Sequence, residues 1–140
     1  MRYLGLDLGT KTLGVSMSDA TLTIASLYGT IHFNDSNYSE LLKPLKEIVS
    51  ENDITKIVLG YPKNMNGTLG PQGEKVIKFC ELLEQETGIK VEYWDERLST
   101  VAAERTLIQG NVRRENRKGV IDMVAAVIIL QGYLDRQRNF

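Results

Sequence analysis

Asp7 lies in a segment that reads as a strand, with a glycine on either side of it on the same face. Residues 4–9 (LGLDLG) alternate so that the leucines share one face and Gly5, Asp7 and Gly9 share the other. The glycines leave room for another group to approach the carboxylate. A charge in a first strand is costly unless it is paired. We therefore interpret Asp7 as functional, the alternative being a hydrogen bond to a nearby turn.

Asp122 interrupts an apolar helix. It is the only residue between Val120 and Leu130 that is not apolar, and a helix that is apolar on all sides is typical of a buried position. A buried carboxylate must be paired, bound to a metal or placed near the helix end. An ion pair with Lys118, one turn earlier, would satisfy it, but a functional role is the hypothesis we favour.

A third acidic position follows a predicted strand. Asp95 and Glu96 come directly after Val91–Trp94, at the kind of strand end where open α/β sheets carry function. Strand neighbours point to opposite faces, so only one of the two is expected to join Asp7, and alternation does not say which. An ion pair with Arg97 is the structural alternative. Carboxylates from three separate segments are what a two-metal phosphodiester site requires, since ions about 4 Å apart are bridged by converging acids.

Composition narrows the choice of metal and compartment. The 140 residues include one histidine and one cysteine, too few for a zinc site, so oxygen ligands and therefore Mg²⁺ or Mn²⁺ are predicted. An internal disulfide is impossible with one cysteine, and we identify neither a signal peptide nor a membrane-spanning run. We expect one domain, residues 1–140, acting in the cytoplasm without a membrane partner.

Positive charge is concentrated just before the helix of Asp122, although the net charge is only −1 and the pI about 5.9. This balance argues against coating of duplexes by bulk electrostatics. A charge run is usually a solvated loop, but beside an acidic site it is predicted to contact phosphates. The loop from Tyr61 to Gly70 could also approach a nucleic-acid backbone through its glycines and polar side chains. The candidate nucleic-acid contacts are Lys11, Lys63, Asn64, Arg97, Arg113, Arg114, Arg117 and Lys118.

The periodicity of apolar residues predicts the elements that would position these side chains. Three strands joined by short turns precede a helix that opens at Asn37 and Glu40, a pair resembling a capping box. Strands and helices then alternate, which predicts an α/β fold with a mixed five-stranded sheet flanked by helices. The expected strands are 3–8, 13–18, 23–31, 57–60 and 89–94, and the expected helices are 37–51, 71–87, 99–109 and 119–136.

Four blocks of residues follow the order of a known family. They are residues 7–10 (DLGT) with 14–16 (GVS), 60–62 (GYP) through 66–68 (NGT), 95–100 (DERLST), and Lys118 with Asp122. Over nearly the whole chain this pattern resembles the YqgF family, Holliday junction resolvase-like proteins that are also described as pre-ribosomal-RNA nucleases. The DERLST run combined with the other blocks is specific, whereas the first block alone is weak.

The resemblance implies a ribonuclease H-like fold and a hydrolase that trims the precursor of the small-subunit ribosomal RNA. It implies that Asp7, Glu96 and Asp122 are the catalytic and metal-binding carboxylates, and it favours Glu96 over Asp95. One departure concerns the first turn. The family commonly has an arginine near position 12, where this chain has a threonine preceded by Lys11, so Lys11 would have to supply any phosphate contact there.

Three other functions share parts of this pattern. ATP-binding proteins of the actin and sugar-kinase superfamily also carry an Asp-x-Gly-Thr turn, but they need two lobes. A resolvase acting on branched DNA and a non-catalytic RNA-binding module both fit the same residues. Precursor ribosomal RNA is the favoured partner and branched DNA the alternative, while the oligomeric state is left open by the sequence.

Overall fold

The computed structural model describes residues 1–9, 11–34, 37–61, 71–96 and 117–138, and of residues 71, 72, 117–123 and 138 it describes the helical backbone alone. Five strands and three helices occur in these ranges. The strands are β1 (Arg2–Leu8), β2 (Thr12–Ser18), β3 (Ala25–His32), β4 (Ile54–Tyr61) and β5 (Val91–Asp95). The helices are α1 (Ser39–Glu51), α2 (Pro71–Thr87) and α3 (Arg117–Arg138).

The strands form one mixed sheet in the order β3-β2-β1-β4-β5. β1, β2 and β3 pair antiparallel through short turns, whereas β4 joins β1, and β5 joins β4, in parallel. Parallel neighbours need long crossovers, which in this chain run through α1 and α2. The predicted five-stranded mixed sheet flanked by helices is therefore confirmed.

Helices cover both faces of the sheet. The leucines of β1 and the apolar side chains of β2 pack with α1 and α2 into one buried cluster. The opposite face carries a second cluster, in which Val58 and Trp94 meet Ala125, Ile129 and Leu130 of α3. Among the described residues, no helix has the length and hydropathy needed to cross a membrane.

Several boundaries differ from those expected. α3 begins at Arg117 rather than Gly119, so Arg117 and Lys118, predicted in a loop, are helical. β4 begins at Ile54 rather than Ile57 because pairing with the start of β1 extends it, an effect that local periodicity does not contain. The predicted helix 99–109 lies outside the described residues.

Of the two helix-end signals predicted, the glycine after α2 is confirmed and the capping box of α1 is not. The Asn37 side chain donates a hydrogen bond to the Glu40 side chain at 2.8 Å, but α1 starts at Ser39 with Tyr38 as its N-cap and without a side-chain cap. Gly88 follows α2 with φ +69°, a conformation that favours glycine. Its N–H bonds the Glu84 carbonyl at 2.9 Å, which closes the last turn of the helix.

Candidate functional site

Asp7 is buried on the face of the sheet that α3 covers. Its side chain is 3% exposed. Asp7 of β1 pairs with Gly14 of β2. On the other side, Leu6 pairs with Leu59 of β4, so the β4 residue next to Asp7 is Gly60. Both lateral neighbours of Asp7 thus lack a side chain, and over Gly60 the Ile129 side chain and the Glu96 carboxylate come close to the backbone.

Gly5 serves helix packing rather than the open approach that the sequence suggested. A Cβ at this position would lie 2.7 Å from Leu130 Cβ and 3.0 Å from the Ala126 carbonyl oxygen, and it would collide with the Ser16 hydroxyl. The group that approaches the backbone here is therefore α3. The close approach brings the helix down onto the strand that carries Asp7.

Glu96 lies on the same face and at the same end of the sheet as Asp7. It follows β5 directly and is half-buried, and its Oε1 is 3.1 Å from the place that a Cβ of residue 60 would take. Gly60 thus separates the positions of the two acids. Asp95 instead lines a cavity with Tyr61 and Ile77 of α2. The choice that alternation left open is resolved geometrically: Glu96, and not Asp95, is on the side of Asp7.

The direction of α3 places position 122 toward the same end. The Tyr133 ring packs against Tyr3 with centroids 6.1 Å apart, and Ala126 with Leu130 lies over Gly5. Successive turns toward the start of α3 therefore advance along β1 toward Asp7, and position 122 is one turn before Ala126. The Asp122 side chain is outside the described part of the structure.

Ser16 fixes the height and register of α3 on the sheet. Its fully buried hydroxyl donates to the Ala126 carbonyl oxygen at 2.7 Å. Sequence reasoning gave Ser16 no role. The available signal was in β2, where Gly14, Ser16 and Ser18 alternate with three larger apolar residues. Such a small, polar face admits a closely packed helix.

A polar network pins the other end of α3. The Tyr133 hydroxyl donates to the Glu92 carboxylate, and the Lys56 ammonium lies 3.0 Å from the same hydroxyl and 3.5 Å from the carboxylate. The Tyr133 hydrogen bond, aided by the charges of Lys56 and Lys90, holds the pKa of Glu92 below its ordinary value, against the effect of burial. This network ties α3 to β4 and β5.

The structure describes few of the predicted phosphate contacts. Lys11 is exposed in the turn between β1 and β2, at the same end of the sheet as Asp7. Arg117 and Lys118 belong to the first turn of α3, where only the backbone is described. Lys63, Asn64, Arg97, Arg113 and Arg114 lie outside the described residues.

The donor atoms at this corner fit a hard divalent cation. Asp7 and Glu96 supply carboxylate oxygens, which Mg²⁺ and Mn²⁺ prefer. In the described part of the chain, no three histidine, cysteine, aspartate or glutamate side chains group closely enough to hold a metal ion. The side chain of Asp122, the third acid of the prediction, is not among the described ones.

Relatives of about the same length have similar sequences. A 59% identical protein of Clostridioides difficile strain 630, named "Putative pre-16S rRNA nuclease", aligns over 138 residues, 99% of this chain and 96% of its own length. A protein of the same name from Bacillus subtilis strain 168 is 53% identical over 135 residues, 96% of this chain and 98% of its own.

Solved structures share the fold. Thermus thermophilus RuvC in complex with a Holliday junction substrate superposes with a TM-score of 0.66 at 11% identity, covering 99% of this chain and 96% of RuvC. The fowlpox virus Holliday junction resolvase gives 0.57 at 16% identity, covering 97% and 99%. At these identities the likeness concerns the fold, which is ribonuclease H-like as expected.

A family model identifies the chain. The RuvX model, described as Holliday junction resolvase, matches residues 1–136. This match covers the blocks on which the resemblance to YqgF rests, and it sets aside the ATP-binding alternative. The buried acid, the second acid beside Gly60 and the closely packed helix are thus features of a chain that belongs to the RuvX family of resolvase-like nucleases.

Proposed function

We propose that the chain is a nuclease dependent on Mg²⁺ or Mn²⁺ that hydrolyses phosphodiester bonds with Asp7, Glu96 and Asp122. The observation that carries the proposal is that Asp7 and Glu96 lie on the same face of the sheet, on either side of Gly60. The backbone of α3 directs position 122 toward the same corner. The two acids supply carboxylate oxygens, the ligands that Mg²⁺ and Mn²⁺ prefer.

Each element has a separate role in this proposal. β1 holds the Asp7 carboxylate away from bulk water, which strengthens its interaction with any cation. The end of β5 presents Glu96 from the edge of the same space, and α3 would bring Asp122 from above. Divalent ions bound there would supply an activated water and stabilise the leaving oxygen.

Precursor 16S ribosomal RNA is the substrate we propose, because relatives more than 50% identical over the full chain carry that name. Branched DNA is the second candidate, supported by a structural neighbour solved with a Holliday junction. We further propose that the whole chain forms one domain and acts in the cytoplasm. The phosphate contacts would come from Lys11, Lys63, Asn64, Arg97, Arg113, Arg114, Arg117 and Lys118.

Substitution of the acids tests the metal-dependent mechanism. Asp7→Asn, Glu96→Gln and Asp122→Asn should each lower the cleavage rate by about 100-fold or more, as loss of a group that stabilises developing charge does. The matched control is Glu47→Gln, on the exposed side of α1, which should cut at the wild-type rate. Rates are measured with magnesium and with manganese on labelled precursor ends, single-stranded RNA and a four-way DNA junction.

The outcomes separate the candidates. Cleavage confined to precursor ends supports ribosomal RNA processing, and cleavage confined to the junction supports the resolvase. A wild-type protein that binds RNA but cuts none of the substrates would favour the non-catalytic RNA-binding module. An acid variant that cuts as fast as wild type would remove that residue from the site.

A further inference from the structure

Tyr93 is exposed in a way that the core does not explain. It lies on the edge strand β5 and is 42% exposed, whereas its neighbour Trp94 is 6% exposed and packs in the core under α3. Strand aromatics are usually core residues, an expectation that Trp94 meets and Tyr93 does not. The exposed face of this ring is therefore accessible to a ligand at the edge of the sheet.

The Tyr93 ring is supported by a neighbouring ring. It packs against the Tyr61 ring with centroids 4.9 Å apart and planes inclined by 49°. An aromatic ring fixed in this way loses little conformational freedom when a ligand stacks on it.

The two tyrosines line an open cavity of about 550 Å³, and Ile77 and Asp95 are the other described residues in its wall. Tyr61 follows Gly60 and Asp95 precedes Glu96 in the chain, so the cavity and the acidic corner lie at the same strand ends, on opposite faces of the sheet. A nucleic-acid strand passing over this end of the sheet would meet both.

The chemistry of the walls selects the part of a nucleotide that fits. Two aromatic rings and an aliphatic side chain favour a flat, apolar surface. The Asp95 carboxylate repels phosphate but can accept hydrogen bonds from the amino groups of bases. A sugar or phosphate gains nothing from the rings, whereas any base has a face that can stack.

We propose that Tyr93, supported by Tyr61, binds an unpaired nucleobase of the strand that is cut. This inference rests on the proposed function for the identity of the ligand. The enzyme would then bind single-stranded segments in preference to duplexes, because a base inside a duplex is already stacked and unavailable. The cavity would position the strand, while the acids on the opposite face act on its backbone.

Binding measured without cleavage tests the cavity separately from the acids. Fluorescence anisotropy in the Asp7→Asn background, without divalent metal, compares a labelled single-stranded RNA with a fully paired RNA of the same length. Tyr93→Ala should weaken single-strand binding by about tenfold and leave duplex binding nearly unchanged. Tyr93→Phe keeps the ring and should bind like the parent. Tyr28→Ala is the matched control, since Tyr28 is 47% exposed on the opposite edge strand, β3.

Three results would overturn the inference: unchanged single-strand binding in Tyr93→Ala, an equal loss for both RNAs, or a loss in Tyr93→Phe as large as that in Tyr93→Ala. Tyr93→Leu provides a variant of similar bulk without a ring, should the alanine variant fold poorly, and is expected to show the same selective loss. Because none of these measurements requires cleavage, failure here leaves the acids untouched. If the acids proved to have no role in cleavage, the result of the binding measurement on Tyr93 would still hold.

Discussion

The neighbours of Asp7 come from two adjacent strands, β2 and β4. The neighbour in β2 is easier to predict from the sequence than the one in β4. The alternation in residues 4–9 marked Asp7 as unusual, and the short β1–β2 hairpin makes Gly14 a foreseeable partner. Gly60 is more than fifty residues away and becomes the other neighbour only through parallel pairing. Local patterns can identify a functional acid, but they cannot reveal a partner set by long-range pairing.

Glu92 should make stability depend on pH. The Tyr133 hydrogen bond, with the charges of Lys56 and Lys90, holds its pKa below the ordinary 4.5, so ionised Glu92 stabilises the folded state. That stabilisation is present above pH 4.5 and is lost as pH falls through the lowered pKa. Glu92→Gln should therefore lower the free energy of unfolding most at neutral pH, and its difference from wild type should shrink below pH 4.5.

Urea unfolding from pH 7 to pH 3 measures this difference. Glu47→Gln, on the exposed side of α1, is the surface control. A Glu92→Gln deficit of the same size at every pH would show that the ionised carboxylate contributes nothing through its charge.

At the scale of elements, the existence and the burial of α3 were predictable, whereas its position on the sheet was not. The apolar run around Asp122 indicated its existence and its burial. Its height over the sheet is set by Gly5 and by the Ser16 hydrogen bond to Ala126, which joins residues 110 positions apart. Periodicity identifies which face of an element is apolar, but not which element will cover it.

Gly5→Ala tests this close packing. The added methyl group would meet Leu130, Ser16 and the backbone of Ala126, and overpacking of this kind destabilises a protein by about 1–3 kcal/mol. Thermal and urea unfolding should show that loss. Gly29→Ala is the matched control, because a Cβ at position 29 on β3 meets nothing within 4 Å. Equal stability of the two variants would mean that α3 can move away without cost.

At the scale of the whole molecule, the order of elements was enough to predict a mixed sheet with helices on it. The strand order β3-β2-β1-β4-β5 was not predicted, since it depends on where the crossovers dock. The net charge, likewise, does not show where nucleic acid binds. A net charge of −1 gives no general attraction to nucleic acid, so binding has to depend on a few local cations.

Salt dependence should reveal those cations. Arg113→Ala and Arg114→Ala are each expected to weaken RNA binding and to reduce the slope of log K against log salt by about 0.7, the value for one phosphate of a single strand that is no longer neutralised. Binding is measured across a potassium chloride titration in the Asp7→Asn background. Lys43→Ala, on the exposed side of α1, serves as the control. A slope that stays at the parent value would exclude that arginine from the interface.

Gly60 links the stability of the fold to the arrangement of the candidate site. A methyl group there would lie 2.5 Å from Ile129 Cδ1 and 3.1 Å from Glu96 Oε1. Substitutions that accumulate in a family often raise stability and lower activity, or the reverse. At this position neither can vary alone, because the same added atom would disturb the apolar packing and the acid together.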